Sequence, residues 1–234
     1  MAETIHLDDP ETPVRLSRSA RARRITLSVP RNGEPPRVTA PRGASASEIR
    51  MFLMRQADWL RDALARRPDV IAVAGGARLP VDGRMLTVEC VAGARRPPRV
   101  EGDALILTGA GAPGPRVAAW LKERARSALS PIAHEAAAAM GATPGAIRLR
   151  DTKGRWGSCT SRGDLSFSWR LAMAPAKVQD YVAVHEAAHL KEMNHGPRFW
   201  AHVERLRPDW RQSRDWLKRE GGALHLYRFD GGSA

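Results

Sequence analysis

Apolar and polar residues alternate over much of the first forty positions, which is the pattern of half-buried strands. The alternation predicts strands over Val14–Arg18, Arg24–Val29 and Arg37–Ala40. Arg31-Asn32-Gly33 offers a hairpin turn before the last of them. From Ser45 the period becomes helical, and Ser45 and Glu48 have capping-box spacing. One face of this helix is apolar and is expected to pack in the core: Ile49, Phe52, Leu53, Trp59, Leu60 and Leu64.

A second group of strands follows, separated by residues that favour turns. It comprises Leu79–Val81, Met85–Val91 and Ala104–Thr108. The turn pairs are Asp82-Gly83 and Gly102-Asp103. Gly109–Pro115 is rich in Gly, Ala and Pro and predicts a linker to a long Ala-rich helix over Arg116–Met140. Pro131 lies inside that helical pattern and is expected to kink or split it.

The last third of the chain mixes short strands with three helices. Strands over Ile147–Arg150 and Leu165–Trp169 flank a Gly/Ser/Thr-rich loop, Lys153–Gly163. Helices are predicted from Pro175 to about Met193, from Pro197 to Pro208, and through Trp210 to Gly221. All these elements together predict an α+β fold, with an antiparallel, β-rich N-terminal domain that also holds helices over residues 1–112 and a second domain over 113–234.

The first of the three helices carries the H-E-x-x-H motif, with His185, Glu186 and His189 in the fixed positions. Residues four apart lie one turn above each other on a helix, so both imidazoles can reach one metal ion. Glu186 lies beside such an ion, where it can act as general base toward a metal-activated water. Neutral imidazoles with an open fourth position favour zinc, with iron, cobalt and manganese as alternatives.

A third metal ligand is needed, and His195 is the leading candidate. It follows His185 by ten residues, and Asn194 and Gly196 are residue types that allow the chain to turn back after a helix. The carboxylate alternatives are Glu192 and Glu204. The remaining histidines have no pairing pattern and are expected to be exposed or structural: His6, His134, His202 and His225.

Six sequence blocks combine the metal motif with an Arg-Trp-Gly-Ser-Cys run. They are Lys153–Cys159, Trp169–Leu171, Asp180–Val182, His185–Leu190, Asn194-His195 and Phe199-Trp200. Together they resemble the YgjP-like metallopeptidase-domain family, a set of predicted metal-dependent hydrolases related to SprT-like zinc proteases. The resemblance covers about Ile147–Leu224 and extends more loosely to Arg21–Arg24 and Pro41–Gly43. Ala187 stands where the family usually has Leu.

The motif and the resemblance predict a zincin-like metallopeptidase domain that acts on a peptide or protein substrate. The resemblance implies His185, His189 and His195 as zinc ligands and Glu186 as catalytic base. Arg155 could stabilise an oxyanion or bind substrate, or its loop could be a structural element anchored by Trp156. Tyr181 lies one turn before His185 and could polarise a substrate carbonyl, although packing is the favoured interpretation.

Charge is the strongest compositional feature, since 38 basic and 25 acidic residues give a net charge of +13. Between Val14 and Arg67 the chain carries 13 arginines and four acidic residues. This surplus is typical of a surface for nucleic acid or nucleotide in the N-terminal part. The alternative interpretation is an arginine-rich composition without a binding site, because basic surface alone gives only non-specific attraction.

The charge also supports two rival functions. A metal-dependent hydrolase of nucleotides or other phosphoanhydrides would need phosphate-binding arginines near the metal, and Arg155, Arg162 and Arg198 are candidates. A basic nucleic-acid-binding module would instead use zinc structurally, in a closed four-ligand site.

The same sequence disfavours membrane and secreted classes of protein. No stretch approaches the ~18 consecutive apolar residues that span a bilayer, and the N-terminus has no apolar signal region. Cys90 and Cys159 are far apart and have neither metal-binding nor redox spacing, which suits a reducing compartment. We therefore expect a cytoplasmic protein without membrane association.

Overall fold

The computed structural model describes residues 3–8, 10–30 and 33–230, and the chain forms two compact units, Met1–Val70 and Ile71–Ala234. The fold is α+β, as predicted. Among the described residues no helix is long and apolar enough to cross a membrane.

Unit 1 is a four-stranded sheet with two helices. Its elements are β1 (Glu3–Asp8), β2 (Glu11–Ser19), β3 (Thr26–Ser28), β4 (Arg37–Pro41), α1 (Ala46–Arg55) and α2 (Ala57–Ala65). The strand order is β1-β2-β4-β3, in which β2 and β4 are parallel and the other pairs antiparallel. The three predicted strands are confirmed, and β1 is an addition. The Arg31-Asn32 part of the predicted turn lies outside the described residues.

The capping box at α1 is confirmed. The Ser45 hydroxyl accepts a hydrogen bond from the Glu48 amide at 3.1 Å, and the Glu48 carboxylate accepts one from the Ser45 amide at 2.7 Å. The single predicted helix is interrupted at Gln56, where ψ is 7°. This break changes the helical phase, and Trp59 is 47% exposed instead of packing in the core. The core of unit 1 joins both helices to the sheet: Val14, Leu16, Val38, Ala40, Ile49, Leu53 and Leu60.

Unit 2 contains more elements. Its strands are β5 (Ile71–Ala72), β6 (Arg78–Val81), β7 (Arg84–Val91), β8 (Arg99–Glu101), β9 (Ala104–Thr108), β10 (Ile147–Arg150), β11 (Gly157–Cys159), β12 (Leu165–Ser168) and β13 (Tyr227–Arg228). Its helices are α3 (Pro113–Ala139), α4 (Ala176–Ala188), α5 (Pro197–Leu206) and α6 (Trp210–Arg219), with 3-10 helices at Trp169–Met173 and Gly221–His225. The described strands form sheets of order β6-β7-β9-β8, β10-β12-β11 and β5-β13.

The turn signal and the proline signal in unit 2 have different outcomes. Asp82 and Gly83 have φ of 48° and 80° and close the β6–β7 hairpin, as their turn chemistry predicts. Helix α3 is continuous across Pro131, so the predicted split does not occur. Its buried stripe, which includes Leu121 and Leu129, packs in the core of the unit and stabilises the helix through tertiary contacts.

The compact units divide after residue 70, whereas the sequence analysis places a domain boundary after residue 112. The reason is that β6, β7 and β9 bury Leu79, Val88 and Leu107 in the same core as α3 and α4. Residues 71–112 thus pack with the chain that follows them. The two predicted functional domains stay a prediction.

Candidate metal centre

Helix α4 places the H-E-x-x-H motif at its C-terminal end. Its burial is nearly all round, with Val178, Val182 and Ala187 in the core, which is typical of a central helix. The helix ends at Ala188, five residues earlier than the sequence predicts, and His189 is its C-cap. The early end leaves eight residues, His189–Gly196, before Pro197 opens α5, and this short connection brings His195 back over α4.

The three candidate ligands converge on one point. One ring nitrogen from each of His185, His189 and His195 lies within 4.8 Å of the other two. The Nε2 atoms of His185 and His195 are 3.1 Å apart. Tetrahedral zinc with Zn–N bonds of about 2.0–2.1 Å holds its nitrogen ligands about 3.3 Å apart, so the geometry fits such an ion. Glu192 and Glu204, the alternative third ligands, do not join this group among the described residues.

Hydrogen bonds from the outer ring nitrogens orient two of these imidazoles. His189 Nδ1 lies 3.0 Å from the Glu192 carbonyl oxygen, which only a protonated Nδ1 can contact favourably. The proton on Nδ1 leaves Nε2 with a free lone pair for a metal. Tyr181 Oη lies 3.4 Å from Nδ1 of His185. Of the two alternative ligands, Glu192 contacts the centre through its backbone carbonyl, which binds His189. The carboxylate of Glu204 forms an ion pair with Arg211 at 2.9 Å.

Burial favours the neutral, metal-binding form of two of the imidazoles. Burial lowers the pKa of His185 to about 3, with further lowering from the two neighbouring histidines and Arg214. Burial also lowers the pKa of His189, an effect that its hydrogen bond to the Glu192 carbonyl opposes. A site that disfavours protonated imidazole leaves the nitrogen lone pairs free to coordinate a cation.

Glu186 is the buried carboxyl group of the centre, with 6% of its surface exposed. Burial raises its pKa to about 8, and Arg155 acts in the opposite direction. Gly157, at the start of β11, lies directly against it. A Cβ atom at Gly157 would stand 2.7 Å from the Glu186 carboxyl carbon, so only glycine leaves room for this side chain.

The Arg155-Trp156-Gly157 block is anchored on the side away from the helix. Trp156 stacks on His225 with ring centroids 5.0 Å apart and covers Gly221, where a Cβ would meet its ring at 3.0 Å. The Trp156 carbonyl accepts a hydrogen bond from the Ser168 amide at 2.8 Å, next to β12. The block thus holds Gly157 in place, and the exposed Arg155 is close enough to Glu186 to affect its pKa.

His225, beneath Trp156, makes the stability of this anchor sensitive to pH. Burial lowers its pKa to about 4, Arg170 and Lys153 lower it further, and Asp151 opposes them. Below pH 6.5 the unfolded chain takes up a proton at this position, whereas the folded chain resists until about pH 4. Stability is therefore complete above pH 6.5 and is lost as the pH falls toward 4.

We expect His225→Phe to reduce this loss, because Phe preserves the ring stacking and His225 Nδ1 has no hydrogen-bond partner in the described structure. The difference in unfolding free energy between pH 7 and pH 4.5 should shrink by about 1–3 kcal/mol, measured by urea denaturation. His134→Phe, at an exposed position on α3, should leave the difference unchanged. Equal pH dependence in His225→Phe and wild type would contradict the assignment.

Tyr181 packs beside the ligands. It is 5% exposed and stacks against Trp210 at 6.2 Å, and burial raises its pKa to about 12. Its hydroxyl therefore stays protonated at neutral pH.

The structure also reveals neighbours that sequence reasoning missed. Trp200 and Trp210 stack at 4.2 Å, and the Arg214 guanidinium lies 5.3 Å from the centre of the Trp200 ring. Trp200 in turn lies 5.9 Å from the His195 ring, and Arg214 acts on the pKa of His185. No ion pair in the described part of the chain includes Arg155 or Arg214. The only signal in the sequence was the apolar stripe of α5 and α6, which indicates packing and does not mark Arg214.

The other two arginines proposed for phosphate binding are not brought into the centre by any described contact. The charge of Arg162 contributes to the lowered pKa of Asp164, between β11 and β12. Arg198 lies in the first turn of α5.

Comparison with known proteins finds a family match. The family model of the YgjP-like metallopeptidase domain matches residues 23–220. No curated protein and no solved structure matches the chain.

Proposed function

The chain belongs to the YgjP-like metallopeptidase-domain family, and from this premise we propose that it is a zinc-dependent peptidase. The observation that carries the proposal is the convergence of three imidazole nitrogens within 4.8 Å beside a buried glutamate on the same helix. His185, His189 and His195 would hold the metal, and Glu186 would be the catalytic base. Three imidazoles with an open fourth position are a donor set suited to zinc.

When bound, the zinc ion would act as a Lewis acid that makes a water molecule a better nucleophile. Glu186 follows a ligand directly in sequence and faces Gly157. A cation held by the three histidines would favour the ionised form of its carboxyl group, which burial alone disfavours, and the carboxylate would then take a proton from the attacking water. The same carboxyl group then delivers the proton to the leaving amine nitrogen. Two oxygen atoms of one buried side chain thus serve both halves of peptide hydrolysis.

The elements around Glu186 suggest how a peptide would be held. β11 pairs with β12 on one side and is the edge of its sheet, so its other side is free to pair with an extended chain. Arg155, just before β11, would contact the substrate carbonyl or stabilise its oxyanion. Tyr181 is better placed to position His185 through its 3.4 Å contact than to reach a substrate, because its side chain is buried.

One observation favours a second candidate, a metal-dependent hydrolase of phosphoanhydrides. The charge of Arg155 lowers the pKa of Glu186, and the charge of Arg214 lowers the pKa of His185. Both arginines are exposed, neither has an ion-pair partner among the described residues, and both lie close enough to the centre to influence it. Such an arrangement suits an anionic substrate. Arg214→Gln would separate the two activities, because it should reduce turnover of a nucleotide more than that of a neutral peptide.

The test of the proposal is a comparison of substrates on one preparation. Wild type is treated with a chelator and then restored with zinc, and each form is offered a degenerate peptide mixture and a panel of nucleoside triphosphates. New amino termini that appear only with zinc support the peptidase. Release of phosphate or pyrophosphate without new amino termini would replace it with the second candidate.

Gly157→Ala is expected to lower turnover at least 100-fold while leaving metal content unchanged. The added Cβ stands 2.7 Å from the Glu186 carboxyl carbon and must displace that side chain, which removes the general base from its position. Gly154→Ala is the matched control, because a Cβ there meets nothing within 4 Å. Turnover and zinc content are measured on both variants. Full activity in Gly157→Ala would contradict the position assigned to Glu186.

A further inference from the structure

The sheet of unit 1 has one apolar and one polar face. Val14, Leu16, Val38 and Ala40 point inward and pack with α1 and α2. The strand positions that alternate with them point outward and form two rows across the sheet. One row is Thr4, Arg15, Arg37 and Ser28, and the next is Ser17, Thr39 and Thr26.

Arg15 and Arg37 occupy the centre of the first row. They are direct partners in the β2–β4 register, and both side chains are exposed. Like charges directly opposite one another destabilise a sheet. No ion pair among the described residues includes either of them, so no described carboxylate offsets this repulsion. An external anion is the partner that would relieve it.

Further arginines lie beside this pair, at the ends of β2 and β4 and in the loops that follow them. β2 and β4 are parallel and end together, with Ser19 opposite Pro41. Arg18, Arg21, Arg23, Arg24 and Arg42 lie at this edge, are all exposed, and take part in none of the ion pairs formed by described residues. Arg18 joins the two segments by donating hydrogen bonds to the carbonyls of Arg42 at 3.3 Å and Ala44 at 2.6 Å.

We propose that this basic face, formed by Arg15, Arg21, Arg23, Arg24, Arg37 and Arg42 with the outward hydroxyl groups, binds the phosphodiester backbone of nucleic acid. Six guanidinium groups on adjacent strands and loops supply charge-assisted donors for phosphate oxygens. The hydroxyl groups of the two rows add neutral hydrogen bonds of the kind that position a backbone.

The composition of the face distinguishes nucleic acid from an anionic membrane. Binding to a lipid surface usually adds large apolar side chains that enter the bilayer, and the two outward rows contain none. The rows also lack aromatic rings on which bases could stack, so binding is independent of sequence and similar for DNA and RNA. The nearest carboxylates on this face, Asp8 and Glu11, lie at the far end of the β1–β2 hairpin.

The experiment measures binding of the full chain to fluorescently labelled 20-nucleotide DNA and RNA, single- and double-stranded, by anisotropy from 50 to 200 mM KCl. Arg15→Gln/Arg37→Gln removes the central pair. Arg50→Gln/Arg55→Gln on α1 removes the same net charge elsewhere in unit 1 and is the control. Circular dichroism establishes that both variants fold.

Loss of the central pair should raise the Kd about tenfold at 100 mM salt. It should also reduce the slope of log Kd against log salt by about 2, because the variant makes about two fewer phosphate contacts and releases correspondingly fewer counterions when it binds. The helix control should keep the slope of wild type. Glu186→Gln should bind unchanged, which separates this surface from the metal centre. Equal losses in both arginine variants, no binding at 100 mM salt, or binding to phosphatidylserine vesicles in its place would overturn the proposal.

Discussion

His189→Ala is expected to purify without bound metal, whereas wild type should carry about one zinc ion per chain. His189 supplies one of three nitrogens that lie within 4.8 Å of each other, and two remaining imidazoles hold zinc far more weakly than three. The measurement is elemental analysis of both proteins purified alike. Since zinc binds the folded state, its removal should also lower the melting temperature of wild type and leave that of the variant unchanged.

His134→Ala is the matched control for this experiment, because His134 is exposed on α3 and distant in sequence from the motif. It should retain the zinc content of wild type. Wild type that neither contains zinc nor takes it up on addition would refute the metal centre. In that case the three histidines would be a cluster without a metal, and the basic face of unit 1 would be the leading functional surface.

Glu186→Gln is expected to keep its zinc and lose at least 1000-fold in turnover, in the upper range of effects for a general base. Glutamine has nearly the same shape and fits against Gly157, but its amide cannot take a proton from water. Turnover on a substrate that the zinc-restored wild type cleaves and zinc content are measured on the same samples. A variant with both metal and activity would contradict the mechanism.

Glu204→Gln provides the comparison for Glu186→Gln. Glu204 lies on α5, pairs with Arg211 at 2.9 Å, and is outside the metal group. Its loss removes an exposed ion pair, which contributes at most about 1 kcal/mol to stability. Metal content and turnover should therefore match wild type. A loss of zinc in this variant would assign Glu204 as a ligand in place of His195.

The support of the site extends well beyond the metal motif. His225 and Gly221 hold Trp156, the next residue is Gly157, and Gly157 faces Glu186. The position of the Glu186 carboxyl group thus depends on a segment near residue 225. Substitutions at Trp156 should reduce turnover through Glu186 and leave zinc binding at the three histidines intact.

Features that depend on residues a few positions apart can be read from the amino-acid sequence. The His185–His189 spacing places two imidazoles on one helical face, and the Ser45 capping box starts α1 in both sequence and structure. The Asp82-Gly83 turn and the start of α5 at Pro197 follow from the same local rules. Each depends on backbone geometry within one turn, which the residue types specify directly.

Features that depend on contacts between distant residues could not be predicted from the sequence and follow from how the chain packs. α4 ends at Ala188 because the following segment turns to bring His195 to His185, and no local breaker marks that end. β11 arises inside a loop because β12 offers it hydrogen bonds, and α3 passes Pro131 because its buried stripe stabilises the helix. The contact of Gly157 with Glu186 joins residues 29 positions apart. Periodicity indicates which residues are buried, whereas the residues they contact depend on how the whole chain packs.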